Sequence, residues 1–474
     1  MKILQKKIEL PEESARDIRV IAQTLADAGY ECYLVGGSVR DLLLGGEALD
    51  FDFATNAHPD KVTRLFRRVV PTGIKHGTVS VLMGQRQYEV TTYRADGAYV
   101  DGRHPESVRF SSTLREDVER RDFTINGIAW DVLRNELIDY PGGLDDIERK
   151  IIRTIGDPML RFGEDGLRTF RACRFAAKLR FTMEEETFRA IGRTLDVAAQ
   201  VSMERVRDEL MKLLEAHEPS IGFEYMRESG LMKVFLPELA ACYGLSQNRY
   251  HMYDIYFHSL YSTDAAPSGE PLIRLAALLH DLGKVPVRTQ GSDGDFTFYN
   301  HEVVGTRMAR RILKRLKFSN EETTKVTNLV ANHMFHYTDE WTDGAVRRFM
   351  RKVGLENLDD LIQLRLADRR GNGMRDGIPQ PIRELKKRID LIIEAENAIT
   401  VRDLAIDGYI VMEEFKVKPG PIIGAILNEL LEMVLDHPEM NERDVLIERA
   451  RGIYDRIKDV DFRAASNKKN MEDA

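Results

Sequence analysis

The spacing of apolar positions changes along the chain, and the change divides it. Through about residue 143 the pattern alternates between a helix period and a strand period. Glu12 to Ala28 places apolar residues at helical spacing and stops at Gly29. Cys32-Tyr-Leu-Val35 reads as a short buried strand entering the double glycine Gly36-Gly37. From Leu49 to Ala54, Asp50 and Asp52 alternate with Phe51 and Phe53, which predicts a strand with one acidic face. Residues 77–83 and 87–94 predict two more strands around Gly84, and Val108-Arg-Phe110 another. Between them, 95–107 carries two glycines and a proline and reads as a loop. From Asp157 onward helical spacing is almost unbroken. Breaks at 216–220, 265–271, 291–295 and 371–381 predict linkers, and the polar end after Ala464 a frayed terminus.

Composition narrows the class. At 474 residues the chain has room for about three domains. Hydrophobic residues at 43% and charged residues at 31% exclude global disorder. No apolar run reaches the ~18 residues of a membrane span, and the first residues lack the core of a signal peptide. Cys32, Cys173 and Cys242 are too few and too scattered for a disulfide framework or a zinc ribbon. The expectation is a reduced, cytoplasmic protein with no membrane partner. A formal charge of −8 gives no global pull on nucleic acid but permits local basic grooves.

Candidate chemistry falls in two regions. In the first, Gly36-Gly37-Ser-Val-Arg40-Asp41 follows a strand and opens a helix, so backbone approaches a ligand closely and Arg40 adds charge. Asp50 and Asp52 share a strand face and need a counter-charge, which hard oxygen ligands best supply as Mg²⁺. Glu89, on a later strand, faces away from Tyr88 and Val90 and is the candidate third carboxylate. Three such groups would hold two metals for an in-line phosphoryl displacement. Further on, Asp165, Arg168, Arg171 and Arg174 follow at i, i+3 steps on a predicted helix. Leu167, Phe170 and Cys173 repeat at the same interval and anchor that helix in a core. A carboxylate accepts hydrogen bonds and a guanidinium donates them, so the set is either a salt-bridged helix face or a polar binding surface.

In order, Gly36-Gly37-x-x-Arg40-Asp41-x-Leu-Leu-Gly45 with Asp50-Phe-Asp52 resembles the head of class II tRNA nucleotidyltransferases, the bacterial-type family of CCA-adding enzymes and poly(A) polymerases. Arg120-Arg121-Asp122-Phe-Thr-Ile-Asn126 is similar to its ribose-selecting motif, Asp139-Tyr-Pro-Gly-Gly143 to its hinge, Glu164-Asp165-x-x-Arg168-x-x-Arg171 to its nucleotide-selecting motif and Ser202-x-Glu204-Arg205-x-x-x-Glu209 to the neck motif that buttresses it. The resemblance implies an α+β architecture: a polymerase-β-like head (1–150), a helical neck (151–245), an HD-type helical body (246–380), a helical tail (381–464) and a frayed end (465–474). It implies catalytic Asp50, Asp52 and Glu89, and nucleotide binding by Gly36, Gly37, Arg40, Arg121, Asp122, Asn126, Asp165, Arg168, Arg171 and Arg174. The substrates implied are CTP, ATP and the tRNA acceptor end, with template-independent transfer and pyrophosphate release. Lys75-His76-Gly77-Thr78-Val79 resembles the tRNA-type head, and the full-length 95–107 loop disfavours a CC-only product. Complete CCA addition, addition of A alone and poly(A) synthesis are the products weighed.

In the second region His258, His280-Asp281-Leu-Gly-Lys284, His301, His333, His336 and Asp368 occur in series. Adjacent His-Asp with distant His and Asp can converge on a metal. The series resembles the HD phosphohydrolase superfamily. That implies His258, His280, Asp281 and Asp368 as core ligands of a second divalent transition metal, His301 and His333 as an additional pair, and a phosphohydrolase activity. A hydrolase with a non-catalytic head and a purely structural RNA binder are the rival classes. Residues 307–317 and 347–352 are basic and candidate RNA contacts, as is the segment from Lys418 to Gly424. Oligomeric state is not encoded in any pattern found.

Overall fold

The computed structural model describes residues 2–5, 8–48, 50–74, 77–96, 108–249, 251–373, 377–395 and 400–458. Lys75, His76 and the stretch 97–107 lie outside them. The first 150 residues build one sheet from strands β1 (Lys2–Gln5), β2 (Cys32–Val35), β3 (Asp52–Thr55), β4 (Val69–Gly73), β5 (Thr78–Met83), β6 (Arg86–Thr92), β9 (Ile128–Asp131) and β10 (Glu136–Asp139), in the order β1-β10-β9-β2-β3-β6-β5-β4. β7 (Arg94–Asp96) and β8 (Val108–Phe110) pair separately as a hairpin. Only β3 and β6 run parallel; the other neighbours are antiparallel.

One sheet face is covered by helices Glu12–Asp27 and Pro59–Leu65. Its core includes Ile18, Ile21, Leu34, Phe53, Val79, Tyr88 and Val90. Phe53 points there, so period two turns Asp52 to the opposite face. The expected strand from Leu49 is shorter than its alternation implied: pairing begins at Asp52 and Asp50 lies just ahead of it.

Beyond Asp157 the chain is helical, apart from short pairings such as Ile151–Ile152 with Thr182–Met183. The break at 291–295 is the turn of a small hairpin, Thr289–Gln290 against Phe296–Thr297, rather than a linker; Gly294 supplies its positive φ of 81°. A single apolar core runs from Phe123 to Ile392 and joins the neck to the body without interruption. Arg274, buried in the body, donates to the carbonyls of Leu214 and Ala216 and so caps the neck helix Met203–Leu214. The tail helices Gly408–Phe415, Pro421–Asp436 and Arg443–Ile457 have a separate core around Ile426, Leu430 and Val434.

In the run 347–352, expected to face RNA, Lys352 is exposed but the three arginines are engaged elsewhere. Arg347 is buried and donates to the Leu435 carbonyl, while Arg348 and Arg351 pair with Glu432. These arginines fasten the body helix Asp343–Val353 to the tail. In 307–317 all six basic side chains are exposed, with Arg315 held by Glu238.

Candidate active site

A cleft of about 620 Å³ opens between head and neck. Its lining holds Gly36, Gly37, Arg40, Asp50, Asp52, Arg121, Asp122, Asn126, Asp165, Arg168, Arg171 and Arg174. It also contains Arg120, Leu167, Phe175, Lys178, Arg205 and Lys212. Residues from Gly36 to Lys212, 176 positions apart, are thus brought to one cleft.

The acidic side is set by strand register. In the parallel β3–β6 pair Asp52 stands opposite Glu89, both on the face turned away from the apolar core. Glu89 is exposed and neighbours Asp52 without lining the cleft itself. The Asp52 carboxyl is pushed up to about 6, first by burial and then by Glu89 and Asp50, with Arg121 opposing. Such a carboxylate is short of positive charge, and its donor set is all oxygen, so a hard divalent cation fits it. Gly36 has φ of 81°, and a Cβ there would stand 3.4 Å from Arg121 Nη1 and 3.7 Å from Asp52 Oδ2. The glycine is what allows the backbone turn so close to the acids.

The basic side is a hydrogen-bonded chain. Arg40 Nη1 donates to Asn126 Oδ1 at 2.5 Å, and Asn126 Nδ2 donates to Asp122 Oδ1 at 3.0 Å. Arg171 donates through Nε and Nη2 to Asp122 Oδ2 at 2.8 and 2.6 Å, and the Phe123 N–H donates to Oδ1. Burial alone would raise the Asp122 carboxyl, but Arg171 and these bonds bring it down to about 2. With four donors, Asp122 has no acceptor site to spare for a ribose hydroxyl. Its work in this structure is to fix Arg171 and Asn126. Arg174 Nε donates to Glu209 Oε2 at 2.5 Å, and Arg121 Nη2 to the buried Asp117 at 3.0 Å.

Asp165 is not on the helix with the arginines, as the i, i+3 spacing suggested. Helix Pro158–Glu164 ends just before it, Asp165 is extended (φ −149°), and a new helix, Leu167–Leu179, starts after Gly166. Two causes act. Asp165 Oδ1 caps the new helix by accepting from the Leu167 N–H at 3.0 Å. Gly166 is pressed against Val197, where a Cβ would lie 2.6 Å from the carbonyl oxygen. Arg205 then holds the carboxylate with two bonds, of 3.1 Å to Oδ1 and 2.8 Å to Oδ2. Arg168 is placed by Glu164 and by the carbonyls of Arg161 and Arg120. Leu167, Phe170 and Cys173 are buried, as expected. Asp117 and Phe175 carried no sequence signal: one is an acid in an ordinary amphipathic helix, the other an aromatic on an apolar stripe.

The second region also converges. His258, His280, Asp281, His301, His333 and Asp368 meet in the body next to a cavity of about 480 Å³. His336 is exposed. His280, His301 and His333 each donate from Nδ1 to a carbonyl three residues earlier (Ala277, Phe298, Val330), at 2.7, 2.9 and 2.7 Å. A carbonyl can only accept, so Nδ1 carries the proton and Nε2 turns inward with a lone pair that could bind a metal. His258 Nε2 lies 3.2 Å from His280 Nε2, 3.3 Å from Asp281 Oδ2 and 3.2 Å from Asp368 Oδ1. On the other side of Asp281, Oδ1 is 3.4 Å from His301 Nε2 and 3.8 Å from His333 Nε2. The set of imidazoles and carboxylates fits a divalent transition metal.

The comparisons with known proteins agree over most of the chain. The family model of the poly A polymerase head domain matches residues 32–153, the RNA- and SrmB-binding-site model of polymerase A matches 180–243, and the tRNA nucleotidyltransferase domain 2 model matches 298–450. A CCA-adding enzyme of Levilactobacillus brevis is 34% identical over 92% of this chain and 98% of its own length. That of Enterococcus faecalis is 32% identical over 94% and 98%. The crystal structure of the Bacillus stearothermophilus CCA-adding enzyme in complex with CTP superposes with a TM-score of 0.71 at 28% identity, covering 97% of this chain and all of that one. The Thermotoga maritima CCA-adding enzyme complexed with tRNA shares the fold, with a TM-score of 0.57 at 20% identity over 94% and 96%. Among the described residues no helix is long and apolar enough to cross a membrane. An acidic strand face and an arginine-lined neck meeting in one cleft, in a chain alike over more than nine tenths of its length to these relatives, place it in the family of bacterial CCA-adding enzymes and poly(A) polymerases, divalent-metal-dependent nucleotidyltransferases.

Proposed function

We propose that this cleft adds C, C and A in turn to the 3′ end of tRNA, taking CTP and ATP and releasing pyrophosphate. The observation that carries it is Asp165, held with one acceptor position left. Oδ1 takes Arg205 and the Leu167 N–H, Oδ2 takes Arg205 alone. The remaining lone pair on Oδ2 accepts one amine hydrogen of cytosine or adenine, while Arg168 donates to the ring nitrogen or carbonyl beside it. A carbonyl in the amine's place, as in U or G, leaves the carboxylate unpaired and repelled. Arg40, Arg171, Arg174 and Lys178 face the triphosphate, and Asp122 and Asn126 hold the first two of them. Asp50, Asp52 and Glu89 hold Mg²⁺, whose chemistry is to neutralise charge and lower the pKa of the attacking hydroxyl. The tRNA 3′-oxygen forms a bond to the α-phosphorus as the α–β bridging oxygen leaves with pyrophosphate.

The test uses tRNA transcripts ending before CCA, after C and after CC, incubated with Mg²⁺ and CTP, ATP or both. Growth of the first by three residues and then arrest is expected. Extension of the CC-ended transcript alone would replace this reading with A addition, and a long A tract with poly(A) synthesis.

The inward Nε2 atoms of the body favour a second reading: His258, His280, Asp281, His301, His333 and Asp368 hold a divalent transition metal and support phosphoester hydrolysis. Metal analysis after incubation with Mn²⁺, Ni²⁺ or Co²⁺ tests it. Protein that stays metal-free refutes it.

A further inference from the structure

The nucleotide cleft gathers arginines from two parts of the chain around one ring. The guanidinium carbons of Arg174, Arg40 and Arg171 lie 4.1, 4.9 and 5.4 Å from the centroid of Phe175. Arg40 comes from the head helix Gly37–Leu43, the other two from the neck helix Leu167–Leu179. Phe175 is itself 4% exposed, and its ring packs edge-on against Phe123, centroids 5.7 Å apart at 79°. Phe123 is fully buried and follows Asp122, so the ring is fixed at the seam between head and neck.

Three like charges at such range repel one another. Each has an acidic neighbour: Arg40 has Asp41, Arg171 has Asp122 and Arg174 has Glu209. Those acids are on the protein side and set where each arginine is tethered. Glu209 also stands 3.7 Å from Arg171, and Asp122 reaches Arg40 through Asn126, so the polar chain ties the guanidinium edges together while their faces meet only at the ring. The negative face of an aromatic ring attracts a guanidinium within about 6 Å of its centroid, and here one ring serves all three.

We propose that Phe175 is a positioning residue for nucleotidyl transfer: its ring holds Arg40, Arg171 and Arg174 as one preset cradle for the triphosphate, joining the head's phosphate contact to the neck's. The inference rests on reading the cleft as the nucleotide site. The ring touches no reacting atom. It acts by keeping three donors in place before substrate arrives, so that binding does not have to order them.

The experiment replaces Phe175 with mono-, di- and trifluorophenylalanine, which drain the ring's negative potential at nearly constant shape. Binding of CTP and of inorganic pyrophosphate with Mg²⁺ is measured by calorimetry without tRNA. Kd for both probes should climb stepwise with fluorine number, reaching about tenfold at three fluorines. Phe175→Leu should weaken both by a similar factor, and Phe175→Tyr should restore binding. Melting temperatures report folding separately. A flat fluorine series with wild-type binding intact overturns the proposal and leaves Phe175 as packing. Failure of wild-type protein to bind CTP, or undiminished CTP binding in Arg171→Ala, overturns the reading of the cleft and the proposal with it.

Discussion

The head cleft and the body cluster both gather acids that could hold a cation, and they treat those acids in opposite ways. In the head, Asp52 is pushed up to about 6 by burial and by Glu89 and Asp50, with only Arg121 against them. In the body, burial also acts to raise Asp281 and Asp368, yet the histidines, with Lys284 and Arg365, hold both well below the carboxylate range. His258 in turn is carried up to about 9 by the two aspartates in spite of its burial. The head therefore leaves an electrostatic debt for its cation and substrate to settle, while the body is already balanced by its own imidazoles. A site that must bind and release its ligands with each nucleotide benefits from the first arrangement. A buried cluster whose acids are kept ionised, with both Asp281 oxygens lacking a hydrogen-bond partner, suits an ion that stays.

The largest expected effect separates the two regions outright. Asp50→Ala should lower CMP and AMP transfer about a thousandfold or more, measured as labelled-nucleotide incorporation, with the circular dichroism spectrum unchanged. Asp368→Asn, in the other region, should weaken Mn²⁺ binding at least about tenfold by calorimetry and leave CMP transfer within about twofold. Loss of transfer in that variant would merge the regions into one functional unit. Arg205→Lys should raise the Kd for CTP and ATP about tenfold, because a two-pronged hold on Asp165 becomes a single contact; it should also increase UMP misincorporation. The smallest effect concerns stability. A carboxyl whose folded pKa of about 6 exceeds its unfolded value costs stability above that pH and regains it as pH falls towards the unfolded value. Asp52→Asn should thus stabilise the metal-free protein at pH 7.5 by less than about 1 kcal/mol, because Asp52 is solvent-exposed in the open cleft and water screens its neighbours, read from urea unfolding in EDTA; the gain should shrink towards pH 4. No gain would mean that water screens Asp52 fully.

The sequence made the ordered motifs visible because each is a local spacing: a glycine pair after a strand, two acids two apart, arginines three apart. The six histidine and aspartate positions of the body are spread from 258 to 368 and are legible only through their resemblance to the HD series, and the structure brings them together. What spacing misses is where the backbone breaks. Asp165 and Arg168 keep helical intervals in sequence, yet the backbone turns extended at Asp165, whose carboxylate accepts from the Leu167 N–H at the start of the next helix. Charge counting missed as well: 347–352 looks basic, but its arginines are spent on tail carboxylates and carbonyls. Phe175 is the clearest omission, since an aromatic on an apolar stripe looks the same whether it fills a core or gathers guanidinium groups.

Gly166 has a longer consequence. Any side chain there would collide with the Val197 carbonyl, so the backbone that presents Asp165 cannot readily drift. On the proposed reading, in which Asp165 and Arg168 read the base, a change of base must then come by exchanging them or their holders, one codon at a time. In a polymerase that copies a strand, the template is supplied with each substrate. In the proposed mechanism the template is inherited in the gene, and a coding mutation at position 165 would be a template mutation passed to every product.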